Sequence, residues 1–298
     1  MTFTAESISV LGLGNMGTAL ASVFLAKGYP VTVWNRSIEK SQALVEKGAK
    51  LAKSPADCVQ SSTIVLISLA SDEVVRELLG RISTIPGCTV INFTTSRPQW
   101  AIEASDTVTN KLRAIGYLHG WINSVPSEVE DQKAIIRYSG SEAIFSKHKH
   151  IFNILGKSLW VSDDHRKICI LENAVLLMLA GTCVGFLQSL AMAGAAGVDT
   201  VDFTEQALLP LMPIFQGLLL DMARRDQEDF HTMSSDSISV STMLGLVSNG
   251  RETAEISGVS GRLLEGLHSL LRNAAQSGKS FDDISTLVKM IRRGSQRG

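Results

Sequence analysis

The sequence predicts an α/β domain at its N-terminal end, a long connecting helix, and an all-helical domain at its C-terminal end. Three observations predict this. Up to about residue 160, short β-branched runs alternate with amphipathic stretches; a glycine-rich turn follows the first run; and beyond residue 163 the pattern is helical. A chain of 298 residues is long for one compact core. We therefore expect two domains, residues 1–162 and residues 163–298, with the connecting helix in the second.

Five runs in the first domain predict strands: ISVLGL, PVTVWN, TIVLISL, CTVINF and AIIRYSG. Between them, the apolar spacing of GTALASVFLAKG, SIEKSQALVEKG and DEVVRELLGRI predicts helices. Strands that alternate with helices indicate a parallel sheet covered on both faces. The second domain begins with a helix from about Ile168 to Gly197 that is too apolar to be left in contact with water.

The turn after the first strand carries three glycines in the pattern G-x-G-x-x-G. The first glycine permits a tight turn, the second lets the backbone approach a pyrophosphate, and the third allows close packing of helix on strand. The helix that follows offers free N–H groups and the positive end of its dipole. This context predicts a Rossmann dinucleotide site; the alternative is a glycine-rich turn without a ligand. The residues expected at the cofactor here are Gly12, Leu13, Gly14, Asn15, Met16 and Gly17.

The end of the second strand predicts which cofactor binds. An acidic residue there would bind the ribose hydroxyls of NAD, but this chain has Asn35, Arg36 and Ser37, with Lys40 one helical turn later. A guanidinium, a hydroxyl and an ammonium suit a 2′-phosphate, which a carboxylate would repel. We therefore expect NADPH/NADP+; the alternative is a solvated basic turn.

Composition and charge exclude several other classes. The net charge of −1 gives no global field for nucleic acid or an anionic membrane. The first residues lack the pattern of a signal peptide, and the apolar stretch Ala174–Leu187 is shorter than a membrane span needs. Four cysteines without CxxC pairing, and His148 and His150 only two positions apart, favour no metal. We expect a cytoplasmic protein without metal, membrane or nucleic-acid partners.

The motif GLGNMGTALASVFLAKGYPVTVWNRS resembles the opening of the imine reductases and reductive aminases, within the β-hydroxyacid dehydrogenase superfamily. The resemblance continues through VINFTTSRP, YSGSEAIF, ILGKSLWVSDD, GFLQSLAMAGAAGV and LLPLMP, so it covers nearly the whole chain. It implies an NADPH-dependent enzyme that reduces C=N bonds of small imines to amines. It also implies a domain-swapped homodimer, with each active site between one subunit's Rossmann domain and the partner's helical domain.

The resemblance points to Glu172 as the group that acts on the substrate. Hydride transfer to a carbonyl builds negative charge, so the hydroxyacid dehydrogenases carry a lysine at this position of the long helix. Transfer to an iminium removes positive charge, which a carboxylate can stabilise or supply as a proton. Imine reductases commonly have Asp or Tyr here, so Glu172 is a departure, one methylene longer than Asp. The alternative is an ion pair with Arg166 or Lys167.

The resemblance also places two strand ends near the nicotinamide. Asn92, in VINFTTSRP, would offer an amide to the cofactor ribose or to the substrate nitrogen, and Thr94 would lie beside it. The alternative for Asn92 is a strand-end residue that caps a turn. After the third predicted strand, Leu69 and Ala70 would line the cofactor, mainly by backbone contact.

The substrate pocket is expected from three parts of the chain. Where the dehydrogenases hold a substrate carboxylate, this chain has the acidic HGWINSVPSEVED, which argues against an anionic acid as substrate. Reductive aminases carry Tyr where this chain has Ala180, which opens space and removes a hydroxyl. For Trp121, Asn123 and Val125, core packing is the alternative. The expected pocket residues are Trp121, Asn123, Val125, Leu176, Ala180, Thr242 and Met243.

Two other functions fit part of this pattern. A β-hydroxyacid dehydrogenase-like oxidoreductase acting on a carbonyl would share the fold, but Glu172 in the lysine position speaks against it. A non-catalytic NADPH-binding protein would keep the cofactor loops and lose turnover. It would bind NADPH without oxidising it in the presence of cyclic imines.

Overall fold

A computed structural model describes residues 6–227 and 237–294. These residues form two compact units, one ending at Met178 and the other beginning at Leu179. The division falls inside the long helix, whereas the expected domain boundary, between residues 162 and 163, lies just before that helix.

The strands and helices have the following bounds. The strands are β1 (Ile8–Leu11), β2 (Val31–Trp34), β3 (Lys50–Leu51), β4 (Ile64–Ile67), β5 (Thr89–Asn92), β6 (Gly116–Ile122), β7 (Ala134–Gly140) and β8 (Gly156–Ser162). The helices of the first half are α1 (Asn15–Ala26), α2 (Gln42–Glu46), α3 (Pro55–Gln60), α4 (Asp72–Leu79), α5 (Pro98–Asp106), α6 (Pro126–Glu130) and α7 (Glu142–Phe152). The later helices are α8 (His165–Ala195), α9 (Thr200–Asp202), α10 (Met212–Gln227), α11 (Val240–Ile256), α12 (Glu265–Ala274) and α13 (Leu287–Gly294).

The strands form one sheet in the order β3-β2-β1-β4-β5-β6-β7-β8. The five predicted runs correspond to β1, β2, β4, β5 and β7, so the predicted fold class is confirmed. The expectation of a wholly parallel sheet is wrong for one pair, because β6 and β7 are antiparallel. The connection between them, residues 123–133, contains only the short helix α6. A crossover between parallel strands needs about a dozen residues or more, so this connection is at the lower limit for one.

The strand order places a crevice at the carboxyl ends of β1 and β4. From β1 the chain goes to β2 and β3 on one side of the sheet, and from β4 it goes to the other side. Both strands are buried along their whole length, because their residues are apolar or small on both faces. In open α/β sheets such a reversal of strand order is where ligands bind.

The long helix α8 exposes most of its apolar side chains within the single chain. Leu177 is 75% exposed and Leu187 is 61% exposed. Among residues 171–187, all of them described, Glu172 alone is buried. Within the described residues, the helical segments His165–Ala195 and Thr200–Gln227 are long and apolar enough to span a membrane, a test that core helices of soluble proteins also pass.

The second unit has its own small core, formed by helices α11, α12 and α13. Val240, Val247, Leu271, Ala274 and Leu287 are buried together there. The described residues of this half are helical apart from short loops, as the sequence predicts.

Candidate active site

The glycine-rich turn joins β1 to α1, and the physical reason for glycine differs among its three positions. Gly12 has a φ of +96°, and a Cβ there would overlap the carbonyl oxygen of Ser68. A Cβ at Gly17 would overlap the carbonyl oxygen of Gly12. A Cβ at Gly14 would meet nothing within 4 Å, and its φ of −71° suits any residue. Chain packing therefore requires glycine at two positions, and the third keeps open a space that a ligand can enter.

Asn35 ties this turn to the loop after β2. The backbone N–H of Leu13 donates to Asn35 Oδ1 at 3.0 Å, and Asn35 Nδ2 donates to the carbonyl oxygen of Ser37 at 2.9 Å. Both the oxygen and the nitrogen of the Asn35 side-chain amide therefore form hydrogen bonds within the protein. Arg36 and Lys40 are exposed beside it. Asn35 sets the shape of the loop, while the cations beside it remain free to meet an anionic group.

The two loops line a cavity of about 410 Å³ in the first unit. Its volume suits part of a dinucleotide. Eleven residues predicted from the sequence line it: Gly12, Leu13, Gly14, Asn15, Met16, Asn35, Arg36, Ser37, Lys40, Leu69 and Ala70. The other three predicted cofactor residues, Gly17, Asn92 and Thr94, are not part of its wall.

Sequence reasoning missed one wall of this cavity. Val74 and Leu78 of α4 line it, together with Glu77 and Arg81, which form an ion pair. Val74 and Leu78 are spaced by four residues, so they lie along one side of α4, and Arg81 follows the end of that helix. The signal that could have found this wall is that α4 directly follows β4, at the point where the strand order reverses.

Asn92, at the end of β5, is 1% exposed and bonded within the protein. Its Oδ1 accepts the N–H of Thr94 at 3.0 Å, and its Nδ2 donates to the Tyr117 hydroxyl at 3.2 Å. Thr94 Oγ1 in turn accepts the N–H of Leu69 at 3.0 Å. The Tyr117 hydroxyl also bonds His119 Nδ1 at 3.2 Å, and burial lowers the pKa of His119 to about 3, which keeps it neutral. These bonds fix the loops that follow β4 and β5.

Glu172 lies in the second turn of α8 and is 5% exposed. Thr95 Oγ1 donates a hydrogen bond of 2.7 Å to Glu172 Oε1. Glu172 Oε2 is buried and has no hydrogen-bond partner among the described residues. Burial raises the pKa of Glu172 to about 7; the Thr95 hydrogen bond opposes this shift and the negative charge of Asp72 adds to it. Arg166, one of its two alternative partners, forms an ion pair with Asp164 at 2.9 Å.

The loop that carries Thr95 is fixed from both sides. Ser96 Oγ donates to Asp72 Oδ1 at 2.5 Å, and the N–H of Arg97 donates to Asp72 Oδ2 at 3.1 Å. Asn173 Nδ2, on α8, donates to the carbonyl oxygen of Ser96 at 3.0 Å. The loop is therefore bonded to α4 and to α8 next to Glu172. Such bonding holds the Thr95 hydroxyl and the Glu172 carboxyl group in one relative geometry.

The predicted pocket residues lie in different surroundings. Trp121 is 7% exposed and packs with Ala101, Ile168 and Cys169, which fits the core-packing alternative. Val125 is 56% exposed. Asn123, Leu176 and Ala180 are also exposed.

Thr242 and Met243 belong to the second unit. The N–H of Thr242 donates to Ser239 Oγ, and Met243 packs against the small core of that unit. All seven pocket assignments stay predictions. In the described ranges 6–227 and 237–294, no group of three His, Cys, Asp or Glu side chains is placed to hold a metal ion.

The NAD binding domain of 6-phosphogluconate dehydrogenase matches residues 7–169, and the NADPH-dependent reductive aminase-like C-terminal domain matches residues 164–293. The chain is 31% identical to the NADPH-dependent reductive aminase of Aspergillus oryzae, over 97% of this chain and 98% of that protein.

Two solved structures have the same fold over almost the whole chain. The reductive aminase from Aspergillus terreus, in complex with NADPH4, cyclohexanone and allyl amine, has a TM-score of 0.88 at 27% identity and covers 97% of this chain and 100% of its own. The imine reductase from Myxococcus stipitatus, in complex with NADP+, has a TM-score of 0.88 at 29% identity and covers 96% and 99%. The family predicted from the sequence motifs is confirmed: this chain belongs to the family of NADPH-dependent reductive aminases and imine reductases.

Proposed function

We propose that this chain is an NADPH-dependent oxidoreductase that reduces the C=N bonds of small imines and iminium ions to amines. The observation that carries the proposal is the buried carboxyl group of Glu172, held at 2.7 Å by the loop after β5. Two relatives of known structure are in complex with NADPH4 and with NADP+, and the family match covers both halves of the chain.

The residues around the cavity fit this cofactor. The open position at Gly14 and the free N–H groups at the start of α1 suit a pyrophosphate. Arg36, Ser37 and Lys40 supply donors and positive charge for the 2′-phosphate. When bound, NADPH supplies the hydride that reduces the substrate carbon.

The charge of Glu172 decides between substrate classes. A carbonyl that accepts a hydride becomes an alkoxide, which a nearby carboxylate would destabilise. An imine nitrogen must gain a proton, and the resulting cation loses its charge when the carbon is reduced. A carboxyl group whose pKa is raised to about 7 can supply that proton near neutral pH, and as a carboxylate it stabilises the cation. Asn92 and Thr94 are proposed to keep the loops beside the substrate in place.

We also propose the domain-swapped homodimer that the sequence resemblance implies. It is supported by the apolar side chains that α8 leaves exposed in a single chain, where Leu177 is 75% and Leu179 is 57% exposed. Large exposed apolar surfaces of this kind mark sites of contact with another protein or with a membrane. The pocket walls are proposed to come from both subunits, and the cytoplasmic location is proposed on the sequence alone.

The proposed function is tested by Glu172→Gln, which keeps the shape and removes the acid. We expect NADPH oxidation with cyclic imines to fall by roughly 10²- to 10⁴-fold, because a proton donor is lost. The affinity for NADPH, measured by fluorescence, should be unchanged. Glu142→Gln is the matched control, since Glu142 is an exposed carboxylate on α7.

Three results would contradict the proposal. Near-parental turnover in the Glu172→Gln variant would exclude Glu172 as the acid. Preferential reduction of aldehydes or keto acids by the parent would favour carbonyl chemistry. NADPH binding without turnover on a broad panel of imines would indicate a non-catalytic protein.

A further inference from the structure

Thr95 is placed to control the carboxyl group on which the proposed function rests. It follows β5 by three positions, and its side chain is exposed, whereas Glu172 is buried. The distance from Thr95 Oγ1 to Glu172 Oε1 is 2.7 Å, which is a strong hydrogen bond for a hydroxyl donor. Glu172 and Thr95 are 77 positions apart in the sequence, so this bond joins the start of α8 to the sheet.

The two oxygens of the carboxyl group are therefore not equivalent. A threonine hydroxyl has one hydrogen, and here that hydrogen is donated to Oε1. Oε2 is buried, and among the described residues nothing bonds to it. A buried polar atom without a partner is costly, so Oε2 is the one of the two oxygens that still lacks a hydrogen-bond partner.

We infer that Thr95 is a positioning residue, which holds Oε1 as a hydrogen-bond acceptor so that Oε2 carries the acidic hydrogen and presents it to the substrate nitrogen. This inference rests on the proposed function. In the step it describes, the Oε2–H bond breaks as an N–H bond forms, the imine becomes an iminium ion, and Glu172 becomes a carboxylate. After the iminium carbon has accepted the hydride that NADPH supplies and has become the carbon of a neutral amine, Oε2 takes up one proton from the solvent, which is the proton that the overall reduction consumes.

The charged groups around Glu172 favour this arrangement. Asp72, on α4, is negative and disfavours a second negative charge nearby. Arg97 bonds Asp72 and Glu73, not Glu172. On α8 itself, burial raises the pKa of Cys169 to about 12, so that thiol is neutral. Glu172 is therefore held close to the point where it exchanges a proton at neutral pH.

The direction of the Thr95 bond gives a test with a defined sign. A hydrogen bond donated to Oε1 stabilises the carboxylate, so its loss should raise the pKa of Glu172. If instead the acid donated its hydrogen to Thr95, the bond would stabilise the protonated form, and its loss should lower that pKa. Thr95→Val removes the hydroxyl at nearly constant volume, and Thr95→Ser keeps it.

The pKa is measured on the protein without substrate, by infrared titration of the protonated carboxyl band, assigned as the band that Glu172→Gln removes. We expect Thr95→Val to raise the pKa by about one unit, which is a tenfold change in the proton equilibrium. An acid works while protonated, so activity falls as pH rises through its pKa, and the alkaline limb of kcat should move up by a similar amount. At neutral pH, kcat should fall about tenfold because Oε2 is no longer oriented, while KM for NADPH stays constant.

Two control variants separate loss of the Thr95 hydroxyl from other effects of the substitution. Thr95→Ser should restore both the pKa and kcat, which a purely structural role of the threonine methyl group would not do. Thr109→Val removes a hydroxyl that donates to the carbonyl oxygen of Ser105 on α5, and it should change neither quantity. Thermal melting of each variant confirms that it is folded.

The outcomes separate this inference from the proposed function. A lowered or unchanged pKa in Thr95→Val, in an enzyme whose parent reduces imines, overturns the inference alone. A parent that reduces no imine overturns the proposed function, whatever the infrared titration shows, and the inference about substrate protonation falls with it.

Discussion

The backbone N–H of Leu13 and the side-chain oxygen of Asn35 are joined by a hydrogen bond of 3.0 Å. This bond links the glycine-rich turn to the loop that carries the cations, so the two parts of the cavity wall keep one relative position. The same amide donates to the carbonyl oxygen of Ser37. Asn35 and Arg36 are adjacent in sequence, but their physical roles differ, and substitutions should separate them.

Asn35→Ala should weaken the binding of NADPH and NADH by similar factors. The change leaves the Leu13 N–H without its acceptor and frees the loop after β2, which affects any dinucleotide. Losing such bonds costs roughly 1 kcal/mol each, so we expect about a fivefold to thirtyfold loss of affinity. Fluorescence titration with both cofactors measures this. A loss confined to NADPH would show that Asn35 contacts the 2′-phosphate instead.

Arg36→Ala should raise KM for NADPH far more than KM for NADH. The guanidinium is exposed at the cavity and is expected to meet the 2′-phosphate, which NADH lacks. A charge-assisted contact is worth roughly 1.5–3 kcal/mol, or about tenfold or more in affinity. Steady-state kinetics with both cofactors provide the measurement. Equal use of NADH and NADPH by the parent would contradict the assignment.

Glu172 should make the folded protein less stable as pH rises. Its pKa is raised by burial from 4.5 to about 7, so between these values the folded state binds more protons than the unfolded state. The free energy of unfolding therefore falls by up to about 3 kcal/mol as pH rises across this window. Above the window the contribution of Glu172 is constant. Glu172→Gln, which cannot ionise, should lose this part of the pH dependence. Thermal melting between pH 4 and pH 8 compares the two proteins, and parallel curves would contradict the raised pKa.

Leu177→Asp should prevent dimerisation if α8 is covered by a second subunit. Leu177 is 75% exposed in a single chain, and an aspartate there would be buried without a partner in a dimer. Light scattering should show a monomer at micromolar concentration, with loss of activity. Ile115→Asp is the control, because Ile115 is 55% exposed and lies just before β6, in the Rossmann unit. This variant should leave the dimer intact. An active, monomeric parent would refute the proposed assembly.

The parts of the site that are local in sequence could be predicted from the sequence. The glycine turn and the Asn35–Arg36–Ser37 loop each lie within a few residues, and their residue types restrict both conformation and charge. The predicted strands are mostly the apolar ones that the sheet buries. In contrast, β6 (GYLHGWI) was not predicted, because His119 and Gly120 interrupt its apolar run, and without β6 the antiparallel pair was not predicted either.

The parts that depend on distant residues could not be predicted. Nothing in the sequence says that Thr95 meets Glu172, because the register of α8 against the sheet decides this contact. Val74 and Leu78 read as ordinary apolar positions of an amphipathic helix, and only the fold shows that they line the cavity. The carboxylate could be predicted as chemically important, but the raised pKa follows from burial, which is a property of the packed structure.

The three glycines of the turn are under different pressures. Gly12 and Gly17 are needed for the chain to fold at all, since a side chain at either would overlap backbone atoms. Gly14 is needed only for what enters the open space beside it. In a descendant that kept the fold and abandoned the cofactor, Gly14 would be the first of the three free to drift. A relative that keeps Gly12 and Gly17 but has another residue in place of Gly14 is therefore expected to have kept the fold and lost cofactor binding.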